Sequence, residues 1–236
     1  MRMQGVFITG TSTEVGKTFV GTAIARELTR RNIKVIPRKP IESGCIKQND
    51  EIIPQDATAL KEAAGYEGLL SEVCPYRFEP PISPVRAAHL ANRILTTEQL
   101  VNVCLEGSEK GFLLVEGAGG FYSPLAENGL NADLAVALQL PVLLVADDKL
   151  GVLSQVLLNV EAIKMRGLPL AGVVLNQLDD DRNAHMDNSA DLRERLSCPV
   201  FTIPYISEGN AEVPDALIDA LVSPSNTKGP HIRAVG

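Results

Sequence analysis

The sequence predicts an α/β fold: a doubly wound, mostly parallel sheet flanked by helices. Short apolar runs recur at Gly5–Thr9, Lys34–Arg38, Phe112–Glu116, Val142–Ala146, Gly172–Asn176 and Val200–Ile203. They are near-continuous rather than alternating, which is the pattern of strands buried on both faces. Helical patterns lie between them, so each strand reaches the next by a crossover, as parallel strands require.

The elements follow in order. Gly5–Thr9 is the first strand, and a glycine-rich turn leads from it into a helix over Lys17–Arg31. Lys34–Arg38 is the second strand. The stretch from about residue 40 to 108 then breaks the rhythm, with Pro80-Pro81 and Pro84 in it. It reads as loops and short helices inserted between two strands, not as a separate domain. An insert at the carboxyl edge of a parallel sheet is a usual place for substrate contacts. Strand Phe112–Glu116 precedes a helix over Asn131–Gln139, and strand Val142–Ala146 precedes one over Gly151–Arg166. Strand Gly172–Asn176, a helix over Ala184–Leu196 and strand Val200–Ile203 complete the series. Residues 1–222 thus form one domain. Residues 223–236 hold Ser, Pro, Asn and Gly without an apolar period and read as a flexible tail.

Composition narrows the function. With 236 residues the chain buries a full core unaided. Lys and Arg number 22 against 29 Asp and Glu, a net charge of −7. Neither a basic domain nor a basic stripe is visible, which argues against nucleic acid as a partner. Trp is absent and aromatics make up 4% of the chain, too few for stacking on bases. No apolar stretch reaches the roughly 18 residues of a membrane helix, and the run after Gln4 is too short for a signal-peptide core. The expectation is a soluble, cytoplasmic protein with no membrane partner. Cys45, Cys74, Cys104 and Cys198 have no CxxC spacing and read as reduced packing residues.

Five segments carry candidate chemistry. Gly10-Thr11-Ser12-Thr13-Glu14-Val15-Gly16-Lys17-Thr18 follows a strand and opens a helix, the setting of a phosphate-binding loop. Backbone N–H groups and the helix start would cradle phosphates. Lys17 would reach the β- and γ-phosphates, and the Thr18 hydroxyl would ligate magnesium. Five residues separate the two glycines where four are usual. In Phe112–Gly120 an apolar strand ends in Glu116, and a glycine-rich turn follows; an acid there can bind magnesium directly or through water. Glu116 replaces the commoner Asp. Lys39, in Arg38-Lys39-Pro40-Ile41-Glu42-Ser43-Gly44, sits at the carboxyl edge of the sheet. A solvated surface lysine and a lysine that stabilises a transferring γ-phosphoryl group weigh evenly there. Asp56 is a helix cap or a magnesium ligand, with spacing alone favouring the cap. Asn176 ends a strand before Gln177; it is a turn residue or an amide for a nucleotide base. His89, His185 and His231 form no metal-ligand pair, and no GxSxG supports a hydrolase triad.

In this order the segments GTSTEVGKT, RKPIESG, DAT, VEGAGG and KLG, with Asn176 and Ile203-Pro204-Tyr205, resemble the dethiobiotin synthetases, a family of the P-loop NTPase type. The resemblance spans residues 3 to 222. It implies ATP and magnesium as cofactors. The substrates it implies are 7,8-diaminononanoate and carbon dioxide, joined and ring-closed to dethiobiotin in biotin biosynthesis. Glu14, Val15, Gly16, Lys17, Thr18 and Phe19 would hold ATP phosphates, with Gly117, Ala118 and Gly119 alongside. Thr18, Asp56 and Glu116 would gather magnesium. Thr13, Lys17 and Lys39 would be catalytic, and Ser43 and Gly119 would line the diamine site. Asn176, Gln177, Pro204, Tyr205 and Ile206 would hold adenine. The resemblance also implies a homodimer, with the substrate carboxylate held at the partner's helix start by Gly151 and Ser154. Arg38 and the Ser154-Gln155 pair depart from the family's usual residues. A cobyrinate-amidating ligase would need a glutaminase domain for which this chain has no room. The alternative from another class is a nucleotide-switched ATPase of the partitioning type. That type carries an early lysine in the phosphate loop, where Thr11, Ser12 and Thr13 stand here.

Overall fold

The computed structural model describes residues 4–180, 185–207, 209 and 211–223. Its centre is a six-stranded sheet of β1 (Gly5–Gly10), β2 (Val35–Arg38), β3 (Phe112–Gly120), β4 (Val142–Asp147), β5 (Leu170–Asn176) and β6 (Val200–Ile203). The spatial order is β6-β5-β4-β1-β3-β2, and every neighbouring pair is parallel. Side chains alternate between two cores. Phe7, Leu113, Val115 and Leu144 face one layer, while Val6, Ile8, Leu114 and Leu143 face the other. Helices α5 (Thr97–Leu105), α6 (Asn131–Leu138) and α7 (Val152–Met165) cover the first face; α1 (Lys17–Arg30) and α9 (Asp215–Val222) cover the second. Each strand is therefore buried on both sides, which is why its sequence is an unbroken apolar run.

The expected strands and the helices over residues 17–31, 131–139 and 151–166 are present, with ends shifted by one or two residues. Four points differ. The glycine-rich segment after Glu116 is not a turn: β3 continues to Gly120, with a register shift after Ile8↔Glu116 that brings Gly10 opposite Gly120. Glycines tolerate such a shift because no side chain obstructs the ladder. The helix expected from Ala184 is α8 (Asn188–Arg195), begun by Asp187, whose carboxylate accepts from Ala190 N at 3.0 Å; residues 181–184 lie outside the described residues. The insert holds α2 (Gln55–Ala63), α3 (Leu70–Val73) and α4 (Pro84–Leu90) besides α5, but also short strands. Ile41–Ser43 pairs with Tyr76–Phe78, and Ile46–Gln48 forms a hairpin with Glu51–Ile53. Helix α9 was not anticipated. The tail from 224 to 236 lies outside the described residues.

The sheet edges are blunted. At one edge, β2 carries Pro37, which has no N–H to offer. At the other, Arg193 of α8 donates to the Val200 carbonyl at 2.9 Å.

Arg38 is 2% exposed and has no carboxylate partner among the described residues. Its guanidinium donates to the carbonyls of Pro37, Val103 and Glu106 and lies 5.7 Å from the Tyr66 ring centre. Two of those carbonyls end α5, where a cation is favoured. The arginine thus pins α5 to the segment that carries Lys39. Arg38→Met leaves these carbonyls without donors, and we expect it to lower unfolding free energy by about 3 kcal/mol in a urea titration.

The four cysteines are free thiols. Burial pushes the Cys45 and Cys198 thiols up to about 11 and Cys104 up to about 12, and it raises Cys74 as well. A thiol reacts as its thiolate. At pH 8 iodoacetamide is therefore expected to label the native protein slowly and all four sites promptly in denaturant, as counted by intact mass.

Candidate active site

The phosphate loop joins β1 to α1 at the carboxyl edge of the sheet. Thr11 N donates to the Val145 carbonyl at 2.9 Å, fixing the loop over the neighbouring strand. Gly16, at the N-cap of α1, has φ 86°, and a Cβ there would collide with the Asn176 amide. Only glycine meets both conditions. Glu14 also has positive φ, 59°, in the left-handed region that side chains rarely adopt. Lys17 Nζ donates to the loop's own Ser12 carbonyl at 3.0 Å, so the ammonium is already folded back over the phosphate cradle. Burial brings the Lys17 pKa down to about 8; Glu116 and Asp56 oppose that shift, and the Lys39 charge adds to it.

A second lysine meets two acids here. Lys39 is 3% exposed, so it is not a solvated surface residue. Its Nζ lies 2.5 Å from Glu116 Oε1 and 2.8 Å from Asp56 Oδ2. Burial alone would lower its pKa, but Glu116, Asp56 and Glu42 outweigh that and hold it above the ordinary lysine range. Burial pushes Asp56 up, yet the charge and hydrogen bond of Lys39 leave its carboxyl below the usual value. Glu116 lies inside β3 and is 1% exposed, since the strand runs on past it.

The cap reading of Asp56 is corrected. The N-cap position of α2 is Pro54, and Asp56 stands in the first turn facing Lys39. The capping acceptor is Glu42, whose Oε1 and Oε2 take the N–H groups of Asp56 and Ala57, each at 3.0 Å.

Thr18, Asp56 and Glu116 therefore come together beside Lys17. Thr18 Oγ1 donates to Glu116 Oε1 at 2.7 Å, and Glu116 Oε2 is buried with no hydrogen-bond partner. An orphaned carboxylate oxygen next to a hydroxyl and a second carboxylate is a hard-oxygen set that fits magnesium.

Lys17, Lys39, Thr13, Ser43 and Gly119 line one cavity of about 570 Å³, whose far wall includes Pro81, Ile82 and Ser123. Ser43 Oγ donates to the Ile82 carbonyl at 2.7 Å. Gly119 has φ 77°, and Gly120 N is held by Ser123 Oγ at 2.9 Å. Asn131, fully buried, shapes this wall. Its Oδ1 accepts from Ala118 N at 3.0 Å, and its Nδ2 donates to the Ala118 and Gly120 carbonyls at 2.6 and 3.0 Å. Its sequence signal was only an Asn at a helix start.

The residues expected at adenine are spread along the next strand ends. Asn176 is fully buried; its Nδ2 donates to the Val15 carbonyl at 3.2 Å and its Oδ1 has no partner. Gln177 Nε2 donates to Asp148 Oδ2 at 3.3 Å. Pro204 and Tyr205 are exposed, and Ile206 and Phe19 pack partly buried against the second core. Gly117 and Ala118 continue β3 beyond Glu116. Gly151 and Ser154 stand elsewhere. They begin α7, Ser154 Oγ donates to the Gly151 carbonyl at 3.0 Å, and neither lines the Lys39 cavity.

A phosphate loop after β1, a lysine at its helix start and a buried acid on the adjacent strand define a P-loop nucleoside triphosphatase fold with a ligand cavity at the sheet's carboxyl edge. At 36 to 40% identity to relatives that it covers to 81% or more, the chain belongs to the ATP-dependent dethiobiotin synthetase family of ligases. A family model described as an AAA domain matches residues 4–212. The ATP-dependent dethiobiotin synthetase BioD of Ruthia magnifica subsp. Calyptogena magnifica is 40% identical over 176 residues, 75% of this chain and 81% of that one. The protein of the same name from Cellvibrio japonicus is 36% identical over 221 residues, covering 93% of this chain and 97% of its own length. Among solved structures, a ParA family ATPase from Chlorobium tepidum TLS superposes with TM-score 0.52 at 14% identity, covering 96% of this chain and 91% of that one. That likeness shows the fold alone.

Proposed function

We propose that the chain joins carbon dioxide to 7,8-diaminononanoate and closes the ureido ring of dethiobiotin, at the expense of ATP. The observation that carries this reading is the Lys39 ammonium, buried between Asp56 and Glu116 on the wall of the cavity that Lys17 also enters. Plain ATP binding needs one phosphate-loop lysine. A second, on the far side of the γ-phosphate, is useful when charge grows on a transferring phosphoryl group.

One amine of the substrate adds to carbon dioxide and loses a proton, giving a carbamate. A carbamate oxygen attacks the γ-phosphorus, and ADP leaves. The second amine then attacks the carbamoyl carbon of the mixed anhydride and loses a proton, and phosphate departs with its bonding pair. In this reading Thr13 and Ser43 orient the carbamate, Gly119 offers its backbone, and Lys17 and Lys39 stabilise the anionic oxygens. Thr18, Asp56 and Glu116 would hold magnesium, which when bound neutralises phosphate charge. The walls exclude water and hold the reacting groups together, which is where most of the rate gain of a positioned reaction arises.

The substrate carboxylate is assigned to Gly151 and Ser154 of a second copy. Leu150, Leu158 and Met165, on and beside α7, are 92%, 67% and 79% exposed, three apolar side chains that a two-fold dimer would bury. No helix among the described residues is long and apolar enough to cross a membrane.

The test is an assay with ATP, magnesium, bicarbonate and the diamine, read by product mass and phosphate release. Release should require both the diamine and dissolved carbon dioxide, and light scattering should give twice the chain mass. Phosphate release that runs equally well without the diamine would defeat the reading.

A further inference from the structure

Glu42 has no part in the chemistry above, yet it is a buried acid within the same cavity wall. It is 5% exposed and faces both Lys39 and Asp56. A third acid beside two others is unfavourable unless its charge is used. Here it is used on α2. The first turn of a helix leaves its leading N–H groups without partners. In α2, Thr58 N reaches the Pro54 carbonyl, so Gln55, Asp56 and Ala57 carry the free donors, and Pro54 has no side-chain acceptor. Glu42 supplies two acceptors from outside the helix.

The consequence falls on Asp56. An aspartate in a first helical turn is itself attracted to those donors and to the positive end of the helix. With Glu42 in place the Asp56 and Ala57 donors are satisfied, and the Asp56 carboxylate turns instead to Lys39. Glu42 lies three residues after Lys39, in the short strand Ile41–Ser43. One segment therefore supplies the lysine and braces the acid opposite it.

We propose that Glu42 is a positioning residue of the magnesium site: by capping α2 from outside, it frees Asp56 to face Lys39 and the cation. Both Glu42 oxygens are already engaged, so it acts through Asp56. The inference rests on the magnesium site assigned above, but its test does not depend on turnover.

The experiment compares the unmodified protein with Glu42→Gln and Glu42→Ala. Gln keeps the shape and one acceptor oxygen but sets an NH2 against the second N–H, so it carries the test even where Ala does not fold. Two quantities are read: amide hydrogen exchange of the nucleotide-free protein, and calorimetric binding of a non-hydrolysable ATP analogue with magnesium and with chelator. Exchange at Asp56 and Ala57 should speed up while α1 and β1 keep their protection. Analogue affinity with magnesium should fall by about tenfold or more, as for loss of an outer-shell partner, with affinity in chelator unchanged. Unchanged exchange overturns the capping; faster exchange with unchanged magnesium dependence overturns the link to Asp56. If the unmodified protein makes no cyclised product but the variants behave as stated, the assigned reaction fails and the role of Glu42 stands.

Discussion

Lys39→Ala is expected to slow turnover by about 100-fold or more while sparing ATP binding. The phosphate loop and Lys17 remain intact in this variant, and in the proposed reading they make the ground-state contacts to the nucleotide. Lys39 is held 2.5 Å from Glu116 and 2.8 Å from Asp56, and in the proposed reaction it meets substrate charge as the phosphoryl group moves. Its loss should therefore appear in kcat more than in the dissociation constant. Calorimetry for ATP and single-turnover phosphate release separate the two. Equal losses in binding and rate would mean that Lys39 is a ground-state phosphate ligand. Removing the lysine also leaves two acids facing each other with Lys17 as their remaining counter-charge, so the melting temperature should fall.

The second large effect is expected at Glu116→Gln. This carboxylate receives the Thr18 proton and the Lys39 ammonium on one oxygen and leaves the other orphaned. An amide of the same shape cannot do all three. If its NH2 faces Lys39 and Thr18, donor meets donor; if it faces the other way, it meets the cation. Magnesium-dependent turnover should drop by about 100-fold, with a raised magnesium requirement. The substrate KM should be little changed, because Glu116 is not placed at the diamine. A magnesium titration of the rate checks this, and an unaltered magnesium optimum would falsify the assignment.

The strands were legible because each is buried on both faces. Val142–Ala146 and Gly172–Asn176 have no solvent face to demand a polar residue, so each reads as one apolar run. The phosphate loop was legible because its chemistry is local: glycine, lysine and threonine act from adjacent positions. Lys39 could not be decided from sequence, since its burial depends on Asp56 and Glu116, respectively 17 and 77 residues away. Spacing alone favoured Asp56 as a cap over a magnesium ligand because an acid at the start of a helix usually is one; the actual cap, Glu42, comes from a strand on the other side of the hairpin. Gly117–Gly120 was read as a turn because glycines usually break strands, whereas here they permit a bulged continuation. Helix α9 carried a readable signal, with Leu217, Ile218 and Leu221 on its buried side, and was passed over beside the unpatterned tail.

The blunted sheet edges bear on how the molecule avoids self-association of the wrong kind. Six apolar strands in one sheet are a strong template for another chain to add to, and a chain that joins edge to edge has no reason to stop. Pro37 withholds a donor at one border, and Arg193 occupies a carbonyl at the other. Contact between copies is thereby left to side chains on helical surfaces, which in the proposed dimer are those of α7. A patch of that kind, meeting itself about a two-fold axis, is used up after a single partner. The same two residues thus favour a closed pair over a growing fibre. Pro37→Val or Arg193→Ala would expose that alternative as turbidity on heating, well before the active site is affected.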